Sequence, residues 1–282
     1  MMDSRKTNQG PGPGSGVFVP ERPGAKRLGV GVDLGSMGTK VALFDGALVD
    51  RLLVPTGWNP REAGEKALRA ILARNGLEPS DVLPPVLTGY GRNSMKERGR
   101  TVTEITCHAA GASFLYPGVT TVLDIGGQDS KVIALEERGT VRDFLMNDKC
   151  AAGTGRFLQV MAAHLEMELE DFGSLPVDGT PQPISSMCTV FAESEVVGLL
   201  ARGVDVESLA LGLLDAVASR ACSMLQRLGG AGPVAFTGGV SRSSSLVRLL
   251  ERRLGRPVVT SPEGQIAGAL GAARIGWEER KA

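Results

Sequence analysis

Two stretches of this 282-residue chain carry the same side chains at the same spacing. Asp33-Leu34-Gly35 is followed by Lys40 and Asp124-Ile125-Gly126 by Lys131, so each copy has aspartate, an apolar residue, glycine, and lysine seven positions after the aspartate, 91 residues apart. In the first copy, Gly35, Ser36, Met37, Gly38, Thr39 and Lys40 form a small-residue turn whose backbone N–H groups can approach phosphate oxygens closely, beside a hydroxyl and an ammonium. In the second, Gly126, Gly127 and Gln128 form another turn, with Asp124 placed to hold Mg²⁺ or its waters. One such turn could equally be an ordinary glycine-rich hairpin; two matched copies point to a site. A third turn, Thr237-Gly238-Gly239-Val240, follows an apolar strand pattern and precedes a helical one, as an edge that takes adenosine would. Phosphoryl transfer to water needs a group to orient the water and a cation to neutralise charge, so Asp33, Asp124 and Gln128 are the catalytic candidates. Asp129 and Lys131 are assigned to the hairpin or to solvent, and Gln265 either approaches the nucleotide or is a polar residue at a helix start.

Cysteines carry a second possible chemistry. Cys150 directly precedes AAGTGRFLQVMAAHLE and Cys188 directly precedes TVFAESEVVGLLARG, both helical patterns. At a helix start, free N–H groups and the positive dipole end favour a thiolate, whether as a metal ligand or as a plain cap. The two are 38 residues apart, not the short spacing of a self-contained ferredoxin loop. Cys107 and Cys222 fall inside helical patterns and read as core. His108 and His164 read as structural or hydrogen-bonding residues, too few for a zinc site.

The elements that must position these residues read as a duplicated α/β unit. LGVGVDLG, TKVALFDG and ALVDRLLVPT predict three strands, followed by a helix over REAGEKALRAILARNG. TTVLDIGG, SKVIALEE and TVRDFLMN repeat the three strands, with a helix from Ala151. A long helix over VESLALGLLDAVASRACSMLQRLGG, a strand PVAFTGG, a helix SRSSSLVRLLERRLG, a strand PVVTS and a helix GQIAGALGAARIG complete the pattern, and the Pro- and Gly-dense Asp171–Pro183 stretch reads as a loop. Such duplication implies two lobes, residues 27–118 with 262–282 packing back on them and residues 119–261, with both turns facing the cleft between them. Residues 1–26, rich in Gly and Pro and without periodicity, are expected to be a disordered leader.

With 31 basic and 31 acidic residues, no global field draws the chain to nucleic acid or to an anionic membrane. The amino terminus lacks the apolar core of a secretory signal, and a cytoplasmic protein is expected.

The strings TGYGRNS, ITCHAAGASF, TVLDIGGQDSKV, MNDKCAAGTGRFL, ISSMCTVFAESEV and TGGV are similar to those of the 2-hydroxyacyl-CoA dehydratase activators. These belong to the BadF/BadG/BcrA/BcrD ATPase family, within the actin, hexokinase and heat-shock-chaperone superfamily, and the likeness runs from about Leu28 to Gly276. It implies an actin-like ATPase fold of two ribonuclease-H-like lobes around a cleft for ATP or ADP with Mg²⁺. It further implies a homodimer with one bridging 4Fe-4S cluster, held by Cys150 and Cys188 of each subunit. Such a protein passes a low-potential electron from a ferredoxin or flavodoxin to a partner iron–sulfur dehydratase or reductase. A benzoyl-CoA-type or double-cubane-type reductase subunit, a non-redox kinase and a nucleotide-gated scaffold are the alternatives.

Overall fold

The computed structural model describes residues 27–148, 151–185 and 189–280; the leader, Cys150 and Cys188 lie outside these. β1 (Gly29–Leu34), β2 (Gly38–Phe44) and β3 (Leu48–Pro55) form an antiparallel meander. β4 (Val86–Thr88) pairs parallel to β1, and β5 (Arg100–Thr101) parallel to β4, giving the order β3-β2-β1-β4-β5. The second sheet repeats this order: β6 (Thr121–Ile125), β7 (Ser130–Leu135) and β8 (Val141–Asn147) form the meander, and β9 (Val234–Thr237) and β10 (Val258–Val259) extend it in parallel.

The helices sort by sheet face. α1 (Pro60–Arg74), capped by the Asn59 side chain, covers one face of the first sheet, against Val30, Val32 and Leu34. α8 (Ala267–Glu279) covers the opposite face, against Ala42 and Phe44. Side chains alternate across a strand, so Gly29, Gly31 and Asp33 share the α8 side of β1. A Cβ at Gly31 would lie 1.9 Å from the Ala269 carbonyl oxygen, which shows how closely α8 is pressed to the strand. In the second sheet, Leu123 and Ile125 face a core built from α3 (Gly155–His164), α5 (Thr189–Ala201), α6 (Val206–Leu228) and α7 (Ser244–Leu254). Val122 and Ile133 face α2 (Glu104–Leu115), so Asp124 and Lys131 do as well. By length and composition α6 could cross a bilayer, and 61% of its most apolar stretch is buried inside the protein.

α2 and α8 therefore meet between the two sheets, and glycines set their separation. A Cβ at Gly111 would lie 1.9 Å from the Ala267 carbonyl oxygen, and one at Gly271 would lie 1.8 Å from that of Cys107. Cys107 and Cys222 are both buried: Cys107 packs with Val86 and Ala272, and Cys222 joins the core of the second sheet.

The structure departs from the sequence reading in three places. α3 begins at Gly155 rather than at Ala151, because Ala151–Thr154 close a turn in which Thr154 N–H donates to the Ala151 carbonyl at 3.0 Å and Gly153 has φ of 95°. A short helix, α4 (Leu169–Gly173), enters the stretch expected to be loop from Asp171. Gln265 lies in a 3-10 turn (Gly264–Ile266) ahead of α8.

Overpacking between α2 and α8 has no soft neighbour to absorb it. Gly111→Ala is expected to lower unfolding stability by about 1–3 kcal/mol or more. Gly198→Ala, inside α5 with its nearest atom 3.7 Å away, raises it by up to about 1 kcal/mol. Denaturant unfolding of both variants checks the contrast, and equal effects would contradict the close helix crossing.

Candidate active site

The repeated Asp-to-Lys spacing is a hairpin register. Asp33 stands opposite Lys40 across β1 and β2, and Asp124 opposite Lys131 across β6 and β7. Lys40 Nζ donates to Asp33 Oδ2 at 3.1 Å, and Lys131 Nζ lies 3.5 Å from Asp124 Oδ2. On the other flank, β4 and β9 place Thr88 beside Asp33 and Thr237 beside Asp124. Each threonine is followed by a glycine with positive φ, 88° at Gly89 and 86° at Gly238. A Cβ at Gly89 would fall 2.4 Å from Asp33 Oδ1, and one at Gly238 would fall 2.9 Å from Asp124 Oδ1. Both aspartates thus sit in a frame of lysine, threonine and glycine.

The two frames are tuned differently. Lys40 is part-exposed and its recorded ion pair is with Asp33. Lys131 is buried, with Asp129 Oδ2 at 2.6 Å and Glu104 Oε2 at 3.1 Å besides Asp124. Thr237 Oγ1 donates to Asp124 Oδ1 at 2.9 Å. His108 Nδ1 lies 3.1 Å from the same oxygen, a contact that is an ion pair when the imidazole is protonated. Burial alone would raise the Asp124 pKa, but His108, Lys131 and Thr237 outweigh it and hold the carboxyl well below the usual range. Burial likewise opposes the charged forms of His108 and Lys131; Asp124 outweighs it at His108, and Asp124, Asp129 and Glu104 outweigh it at Lys131, so both pKa values are raised. At Cys107 burial outweighs nearby Thr88 and Arg100 and pushes the thiol up to about 12.

The hairpin tips face each other. A Cβ at Gly127 would lie 2.3 Å from Met37 Cγ and 3.2 Å from Ser36 Oγ. Met37 and Gln128 are exposed at the tips, whereas the Thr39 hydroxyl is buried, 3.0 Å from Thr56 Oγ1. Thr56 Oγ1 donates to the Gly35 carbonyl at 2.6 Å and its N–H to Met37, so Thr39 braces the turn from behind. At the third turn, Gly238 N–H donates to the Gly264 carbonyl at 3.2 Å, which sets half-buried Gln265 near Gly239, over which there is open space. The first two amides of α3 are committed to the second hairpin: Gly155 N–H donates to the Gly126 carbonyl at 2.8 Å and Arg156 N–H to that of Gly127 at 2.9 Å. The free N–H groups expected to face Cys150 are thus bonded to the hairpin. α5 begins at Thr189, immediately after Cys188 in sequence.

Sequence reading brought neither Glu104, His108 nor Thr88 to the site, and it placed Thr237 in the third turn without its contact to Asp124. The last two carried a signal, because Thr88-Gly89 and Thr237-Gly238 each close a short apolar run. Their 149-residue offset hid the correspondence with the 91-residue hairpin repeat, since α3 to α6 stand where the first lobe has α1. Glu104 and His108 carried none, because their approach depends on where α2 crosses. Among the described residues, no group of three or more His, Cys, Asp or Glu side chains is placed to hold a metal ion.

Duplicated sheets around two facing glycine-built hairpins, each with a buried aspartate, are the architecture of an actin-like ATPase. The chain belongs to the BadF/BadG/BcrA/BcrD ATPase family, whose model matches residues 30–276. It is 43% identical over 255 residues to the activator of lactoyl-CoA dehydratase of Anaerotignum propionicum, covering 88% of this chain and 97% of that one. Its fold matches the crystal structure of component A of the Acidaminococcus fermentans (R)-2-hydroxyglutaryl-CoA dehydratase with a TM-score of 0.86 and 40% identity, covering 91% of this chain and 100% of that one. The activator of the 2-hydroxyisocaproyl-CoA dehydratase from Clostridium difficile, solved with bound ADPNP, matches with a TM-score of 0.84 and 37% identity over 90% of this chain and 96% of that one.

The raised His108 pKa has a consequence for stability. Its folded-state value lies above the ordinary 6.5, so its ionic contribution is complete below about pH 6.5 and is lost as pH rises through the folded value. Denaturant unfolding of wild type and His108→Asn from about pH 5 to about pH 9 is expected to show a stability difference that shrinks with rising pH. A difference that does not change with pH would contradict the imidazolium.

Proposed function

We propose that this chain is an ATP-dependent activase that drives single-electron transfer into a partner iron–sulfur enzyme of the 2-hydroxyacyl-CoA dehydratase type. Residues 27–118 with 262–282 form one lobe and residues 119–261 the other. ATP lies between them, its phosphates against Gly35, Ser36, Gly38, Gly126 and Gly127, and its adenosine beside Gly238, Gly239 and Gln265. Lys40, part-exposed on Asp33, is the cation free to turn to the phosphates, while Lys131 is locked by three carboxylates. Asp33, Asp124 and Gln128 hold the Mg²⁺ shell and the attacking water.

One observation carries the coupling: the Gly126 and Gly127 carbonyls accept from the first two amides of α3, so a shift of the second hairpin pulls the helix that follows Cys150. Cys150 and Cys188 of each subunit of a homodimer would hold a 4Fe-4S cluster, which supplies the low-potential electron taken from a ferredoxin or flavodoxin. The positive end of α5 favours a thiolate at Cys188. The activator names of the relatives and the ADPNP-bound neighbour support this reading. A cytoplasmic, reducing compartment suits free thiols at these positions.

Anaerobically purified protein is expected to hold about four irons per dimer and to hydrolyse ATP. Cys150→Ser and Cys188→Ser should each lose the iron while still binding ATP. Iron-free wild type that phosphorylates a metabolite would replace the activase with a kinase.

A further inference from the structure

His108 stands between the carboxylates of the two hairpins. Its Nδ1 faces Asp124 at 3.1 Å, and its Nε2 faces a gap that exists because residue 268 is glycine. A Cβ at Gly268 would lie 2.8 Å from His108 Nε2 and 3.2 Å from Asp33 Oδ2, so the ring's far nitrogen is at most about 6 Å from the second carboxylate. His108 is buried on α2, the helix that also sends Glu104 to Lys131. The charged groups facing it are Asp124 from β6, Lys131 from β7 and Asp33 from β1; α8 presents Gly268.

We infer that His108 is a positioning residue for ATP hydrolysis, tying the Asp124 carboxylate to α2 so that closing the lobes sets Asp124 at its working place. The physical case is a matter of degrees of freedom. Thr237 and His108 share one oxygen of Asp124 and Lys131 faces the other, so the carboxylate cannot rotate unless one of these elements moves. Thr237 and Lys131 belong to the same sheet as Asp124, whereas His108 is carried by α2 itself and so places its contact to Asp124 directly by where that helix lies. Losing it frees the carboxylate to turn, and a misplacement of about 1 Å costs a rate factor on the order of 100. This inference rests on Asp124 serving ATP hydrolysis.

The test is a double-mutant cycle in steady-state ATPase kinetics. His108→Ala is expected to lower kcat by about 30-fold or more with KM for ATP within about threefold, because it disturbs placement rather than nucleotide contact. In an Asp124→Asn background, the same substitution should add less than about threefold, since its effect acts through that carboxylate. Gly268→Ala, which drives a methyl against His108 and Asp33 and shifts them while keeping both side chains, should also lower kcat and spare KM. If His108→Ala does not fold, His108→Asn and His108→Gln take its place in the cycle. Equal losses in the two backgrounds would overturn the inference, as would a loss confined to KM. A slow Asp124→Asn beside a His108→Ala at wild-type rate overturns this inference alone. Asp124→Asn at wild-type rate overturns the hydrolytic reading of Asp124 and this inference with it.

Discussion

A carboxylate buried at Asp124 must be matched wherever it goes, and this requirement organises the centre of the molecule. Removing one partner of a buried charge costs about 3–5 kcal/mol, so Lys131, Thr237 and His108 are not interchangeable decorations. Each comes from a different element: the neighbouring hairpin strand, the parallel strand across the sheet, and the helix between the lobes. Holding all three at once fixes β7, β9 and α2 around β6. Lys131 in turn gathers Asp129 and Glu104, and Glu104 lies 3.6 Å from Arg92, which follows β4 of the first sheet. The charge on one side chain is thus felt across the cleft.

The first hairpin uses the same frame with a looser setting. Asp33 has its cross-strand lysine and its neighbouring threonine, yet among the described residues no Thr88 hydrogen bond to Asp33 matches that of Thr237 to Asp124, and Lys40 reaches solvent. Duplication therefore produced two copies of one architecture in different settings, one closely paired and buried at Asp124 and one partly open at Lys40. The glycines of α2 and α8 let these two helices pack through backbone between the sheets, and such a surface slides with little side-chain rearrangement.

Much of this was legible before any coordinates. The seven-residue Asp-to-Lys spacing is what an antiparallel pair with a short turn produces, so the hairpins and the duplication could be read from it. Asp33 and Asp124 each lie against turn glycines, and the first two turns approach each other. What was hidden depends on tertiary position. Burial of Lys131 follows from α2 lying over β7, and no local pattern encodes that. The start of α3 was misplaced by four residues because Ala-rich sequence reads as helix, while the positive φ at Gly153 closes a turn first. That error mattered: it assigned free amides to the neighbourhood of Cys150, when the α3 amides are bonded to the second hairpin.

The link from Gly126 and Gly127 to Gly155 and Arg156 is the account's central claim, since it joins the second hairpin to the helix after Cys150. Amide hydrogen exchange resolved to these residues, with and without a non-hydrolysable ATP analogue, tests it most directly. The account predicts that protection at Gly155 and Arg156 changes together with that of the 126–131 hairpin on nucleotide binding. Protection of the hairpin with unaltered exchange at Gly155 and Arg156 would contradict it.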